Sequence, residues 1–160
     1  MLEAMREELE QLRKSCATSK PGARLGTIRQ RLARTDAESG APRLVAVVAA
    51  VEALARSLVV HAPGRPAATS HFRYQQVKAK APLDLVEEAL RLHGGAPALE
   101  QFGEATWQQF ELAIVCRNLV VHECVDPGRD KYPALIAAGE RVLEGLVSTG
   151  GLLRLVAEQA

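Results

Sequence analysis

Residues 42–61, PRLVAVVAAVEALARSLVVH, constrain the fold more than any other stretch of this chain. Once past Pro42 the run holds no glycine or proline. Its polar breaks are Arg43, Glu52, Arg56, Ser57 and His61. Apolar side chains fall on nearly every side of a 3.6-residue repeat. A helix of this kind is stable only when other helices surround it. The rest of the chain has to supply those helices.

It holds several candidates. Leu2, Met5, Leu9 and Leu12 recur at heptad-like spacing, predicting an amphipathic helix over 2–17. The SKPG stretch breaks it, and Leu25, Ile28 and Leu32 then mark one face of a second helix over 23–35. TDAESGAP reads as a loop with helix-start chemistry, and APGRPAATS as a second loop. Residues 69–80 read as helical and basic. Pro82 and Gly94 bracket a helix over 83–93. A second long helix runs over 104–125 and stops at DPG, residues 126–128. YPALIAAGERVLEGLV is a closing amphipathic helix, with a short one following Gly151. No strand pattern competes. The expected fold is an all-α, antiparallel helical bundle with two long core helices and shorter flanking ones. It forms a single compact domain overall, with 1–41 an N-terminal helical extension and 42–160 the bundle.

Aromatic residues make up 4% of the chain, too few for the stacking platforms that bind single strands. Trp107 is the sole tryptophan and reads as a core or interface anchor. Cys16, Cys116 and Cys124 match no zinc spacing and suit free thiols in a reducing compartment. No metal site or cofactor motif is read. The charged start, MLEAMREELEQLRK, has no apolar leader core, and no run approaches a membrane span. The expectation is a cytoplasmic protein with no membrane partner.

The net charge of +1 conceals a division. Residues 1–83 carry 14 basic and 7 acidic side chains, whereas residues 84–160 carry 6 basic and 12 acidic. No acid occurs between Gln11 and Thr35, or between Ala53 and Leu83. Arg24, Arg29, Arg31, Arg34, Arg73, Lys78 and Lys80 in those stretches are candidates for a polyanion-binding face, RNA included. A merely solvated basic face accounts for the same pattern.

Two similar strings end the two long helices: ARSLVVH at 55–61 and CRNLVVH at 116–122. In each, four residues separate Arg from His. Asn118 and His122, at i and i+4, share a helix face. Arg117 and His122 diverge by roughly 140° at the backbone. In the first copy Ser57 replaces the Asn, and its flanks do not match the second, so the pair is not read as a duplication. His71 reads as an exposed helix residue and His93 as a helix C-terminal one.

RNLVVH, late in an all-α chain, resembles the Arg-x4–6-His signature of the HEPN superfamily, including the polar residue after the Arg. A long earlier helix bearing Glu52 and a helix closing the chain after the motif add to the likeness, which covers about residues 42–148. The resemblance implies a metal-independent endoribonuclease, often a toxin or defence protein, that works as a homodimer with the motif helices meeting at the two-fold axis. It implies RNA as substrate and a cognate protein partner such as an antitoxin. Arg117, Asn118 and His122 would be the catalytic set. His122 would move the proton of a 2′-hydroxyl or of the leaving oxygen, a task suited to histidine's ordinary pKa near ~6.5. Arg117 would hold the scissile phosphate. Glu52, Arg56 and His61 are accessory candidates. Two other readings fit the same residues. One is a non-catalytic HEPN-like module that binds a protein partner or a nucleotide. The other is a plain helical interaction protein assembled through Leu2–Leu12.

Overall fold

The computed structural model describes residues 1–35 and 40–152. Among the described residues there are eight α-helices, one 3₁₀ turn and no strand. They are α1 (Leu2–Thr18), α2 (Pro21–Ala33), α3 (Ala41–Val60), α4 (Ser70–Val77), α5 (Pro82–Leu92), α6 (Ala98–Phe102), α7 (Glu104–Glu123) and α8 (Tyr132–Thr149). The 3₁₀ turn, Ala67–Thr69, leads into α4. The expected helix after Gly151 and most of the TDAESGAP loop lie outside the described residues.

The all-round apolar helix is the axis of an all-α bundle. It is α3, and it packs against α8, α5, α2 and α7, while α7 also packs on α8. Leu44, Val47, Val51, Leu54 and Leu58 are at most 1% exposed. Each such side chain contributes about 1.5–3 kcal/mol by leaving water. Gly139 lets α8 approach: a Cβ there would lie 2.6 Å from Cγ1 of Val47. Leu25 and Ile28 of α2 join the same core, so of the N-terminal extension only α1 stands apart from it.

Local chemistry sets the ends. Pro21, Pro42, Pro82 and Pro133 sit in first turns, where a missing N–H costs nothing. Pro21 therefore opens α2, where the sequence alone marks SKPG only as a breaker. The basic helix expected over 69–80 ends at Val77. The short α6 has no counterpart among the expected helices; Glu87 accepts the Ala98 N–H at its start, 3.2 Å away. The chain leaves α7 through Cys124 in the left-handed region, φ 54°. Asp126 then ties the turn, accepting from the Gly128 N–H at 3.0 Å and from the buried Tyr132 hydroxyl at 2.7 Å. The hydroxyl and the Gly128 amide hold the Asp126 carboxyl below its ordinary pKa. The same bond, with burial, pushes the Tyr132 phenol up to about 12.

Candidate functional site

Glu52 is the only acid in α3, and it sits where α3 faces α7. Its Oε1 accepts from the Arg117 guanidinium of α7. Its Oε2 lies 3.7 Å from Arg56, one turn along α3. The three side chains are 19%, 16% and 19% exposed for Glu52, Arg117 and Arg56. Two cations thus share one carboxylate at the edge of the core, leaving the cluster with a net positive charge.

Arg117 is aimed by two contacts. Besides Glu52, its Nε donates to Oδ1 of Asn118 at 2.8 Å. Nη1 of Arg117 has no hydrogen-bond partner among the described residues, and Nε of Arg56 is buried without one. Nη1 of Arg117 is therefore the donor the cluster keeps for an anion, the Arg56 Nε being closed off from solvent. The i,i+4 spacing of Asn118 and His122 puts them on one face, but no hydrogen bond joins them; Oδ1 of Asn118 accepts from Arg117. His122 is exposed in the last turn of α7.

The accessory residues divide. Glu52 and Arg56 meet Arg117, whereas His61 ends α3 and donates from Nε2 to the Ala17 carbonyl of α1, 3.1 Å away. Burial lowers its pKa; the Ala17 bond opposes this, and the charges of Arg73 and Lys20 add to the lowering.

The basic candidates divide as well. Arg24 and Arg31 line a groove of about 280 Å³ between α2 and α3, floored by Val45, Ala49 and Ala53 among others. Val45, Ala49, Glu52 and Arg56 fall on one face of α3, within about 60° at 100° per residue. The α2 arginines thus flank the face that carries the Glu52 cluster. Arg29 on α2, Arg34 just past its end and Lys78 beyond α4 are exposed. Arg73 is spent on its own loop, donating to the carbonyls of Val60 (2.7 Å) and Pro66 (2.8 Å) and to Thr69 Oγ1 (2.6 Å). Lys80 pairs with Glu88 beside a different groove.

One feature is hidden from the sequence. Leu112, Val115 and Leu119 of α7 are 58%, 50% and 40% exposed. They lie along the outward face that continues to His122, since 112, 115, 119 and 122 are spaced by 3, 4 and 3. With Pro127, Ala134 and Leu135 they border an apolar groove of about 530 Å³. The signal is present but masked. α7 buries Phe110, Ala113 and Ile114 on its other face, so apolar residues occur all round and no single stripe stands out.

His93 ends α5 and donates from Nε2 to the Leu58 carbonyl at 2.8 Å. Trp107 stacks on Phe102, with ring centroids 5.9 Å apart, and tilts against Phe110 at 5.7 Å. Cys116 is buried and Cys124 exposed. Among the described residues, no three His, Cys, Asp or Glu side chains are grouped to hold a metal ion. No helix among them is long and apolar enough to cross a membrane. No family model, curated protein or solved structure matches the chain.

Proposed function

We propose that this chain is a HEPN-like, metal-independent endoribonuclease, acting in the cytoplasm as a homodimer through α7, in a toxin or defence role with a cognate protein partner. The carrying observation is that Glu52 binds Arg56 and Arg117 at once, with Arg117 on the helix that bears Asn118 and the exposed His122. A phosphate needs a positioned, undersatisfied guanidinium, and Arg117 is one. Its carboxylate and amide contacts fix the fork before a ligand arrives, as electrostatic stabilisation of a transition state requires.

The chemistry follows. The imidazole of His122 takes the proton of an RNA 2′-hydroxyl. The 2′-oxygen then bonds to the adjacent phosphorus, and the bond from phosphorus to the 5′-oxygen breaks. The second ring of the dimer, entering the step as an imidazolium, gives its proton to that leaving oxygen. The products are a 2′,3′-cyclic phosphate and a 5′-hydroxyl. Arg117 and Arg56 stabilise charge on the phosphorane oxygens. A two-fold contact along Leu112, Val115 and Leu119 supplies the second imidazole. The arginines of α2, beside the α3 face of the cluster, supply a path for the RNA backbone.

The test is cleavage of RNA by the purified protein in excess EDTA. Wild type should cut, and His122→Ala and Arg117→Ala should each lose at least about a hundredfold in rate. Cutting that survives both substitutions removes these residues from the mechanism. The pairing of Arg117 with Glu52 also favours a second reading, a clasp between α3 and α7 in a module that binds without cutting. A folded dimer that retains RNA and never cleaves it selects that one.

A further inference from the structure

The bundle leaves α1 almost uncovered. Of its seventeen residues only Ala17, in the last turn, is buried. Leu2, Met5, Leu9 and Leu12 are 72%, 52%, 60% and 62% exposed. The ion pairs within the helix, Arg6–Glu3 at 3.7 Å and Arg13–Glu10 at 3.5 Å, are exposed and contribute little. A lone helix of this length is marginal in water, and tertiary or quaternary burial of its apolar stripe is what ordinarily stabilises one.

The stripe has the geometry of a coiled-coil seam. Leu2, Met5, Leu9, Leu12 and the half-buried Cys16 are spaced 3, 4, 3 and 4, the alternating a and d positions of a heptad. At 100° per residue the seam points roughly 100° away from Ala17. The bundle thus grips the helix at Ala17 and partly covers Cys16, and leaves the seam from Leu2 to Leu12 open.

Charge selects the occupant and its direction. With Leu2 at a, Glu8 falls at g and Arg13 at e of the next heptad. In a parallel, in-register pair those two positions face each other across the seam, so two-fold symmetry forms two opposite-charge pairs. An antiparallel pair opposes e to e, and both e positions here, Arg6 and Arg13, are arginine. The helix is complementary to itself in one direction only.

We propose that α1 is a self-association helix: two copies of this chain join their α1 seams as a parallel, in-register two-stranded coil, with Glu8 of each copy against Arg13 of the other. This contact stands independently of the ribonuclease reading. It also brings the two Cys16 side chains together, since identical seam positions meet across a parallel axis.

That meeting is the test. The full chain carrying Cys124→Ser, which removes the exposed thiol, is treated with diamide at tens of micromolar protein. Two Cys16 thiols give up two protons and two electrons to the diamide, which becomes its hydrazine, and join as one interchain disulfide. The expected result is a non-reducing gel band at twice the chain mass, abolished by Cys16→Ser and at least about tenfold weaker in Leu9→Asp. Glu8→Arg and Arg13→Glu should each weaken it about fivefold, because each removes both exposed pairs at once, and the double swap should restore it. Absence of the band, a band indifferent to Leu9→Asp, or a double swap no better than either single overturns the proposal. The swap touches no buried residue, so misfolding cannot mimic its rescue.

Discussion

Glu52 has two arginines to satisfy, and that fixes what its loss would do. Glu52→Gln keeps the shape but leaves Arg56 and Arg117 facing each other as cations, each less than a fifth exposed. Removing one member of a largely buried ion cluster strands the others, so urea unfolding should show a loss of about 2–3 kcal/mol. Adding Arg117→Gln should return much of that loss, because the repulsion goes with it; additive losses would instead mean that the pair is not coupled. The same carboxylate aims the Arg117 fork, so Glu52→Gln should also slow RNA cleavage, whereas a purely structural clasp would have no cleavage to slow. At this scale the sequence is only half legible. The Arg-Asn-x-x-x-His string supplies the residue types, and the lone acid of α3 stands out in an apolar run. That Glu52 accepts from α7, and that Asn118 serves Arg117 and not His122, depends on how two helices lie together when the paired residues are 65 positions apart. Local spacing carries no information about that.

Helices come through more clearly, because burial writes a period into the sequence. The all-round apolar pattern of α3 makes it the central helix, and the structure packs it against α8, α5, α2 and α7. α7 misleads for the opposite reason: its second apolar face is left uncovered by the bundle, and periodicity cannot distinguish a core face from an interface. A charge should separate the two. Val115→Asp, half-exposed in the monomer, should leave the thermal midpoint almost unchanged. In the homodimer reading it should abolish cleavage, and in a Leu9→Asp background, where the α1 seam is broken, sedimentation should show monomers. Retained cleavage by Val115→Asp would detach the α7 face from catalysis. The junction of α3 with α1 carries a different prediction, one of pH. His61 has its pKa lowered from 6.5, first by burial. The folded state therefore binds a proton less readily than the unfolded chain. This contribution to stability is complete above pH ~6.5 and is lost as pH falls from there toward the folded value. Urea midpoints measured at pH 7.5 and 5.5 should fall with acidification, and His61→Gln should flatten that part of the slope. An unchanged slope would show that His61 is not the group responsible.

For the molecule as a whole the sequence shows a sharp division of charge, and the fold decides whether that division matters. A basic half spread evenly round the surface would be no more than solvation. Instead the acid-free α2 packs directly on α3 and shares a groove with the face that ends in Glu52 and Arg56, while Arg73 and Lys80 are tied into local bonds away from it. Of the seven basic candidates, Arg24 and Arg31 line the groove beside that face, a candidate track. If that track carries the RNA backbone, its effect is electrostatic and independent of sequence, and it shows in the dependence of affinity on salt. Each phosphate contact to a single strand contributes a slope of about −0.7 in log K against log salt. Arg24→Ala with Arg31→Ala should therefore make the slope shallower by about 1.4 and weaken binding uniformly across RNA sequences. The rate of cutting by the bound enzyme should stay as it was, since neither side chain reaches the Arg117 donors. Lys78→Ala, placed away from the groove, is the matching control and should leave the slope within error. Equal loss from both variants would mean that RNA is held by net charge alone, with no directed path to the cluster. A slope that moves only with the α2 arginines would mean that the charge division is a binding track leading to the site.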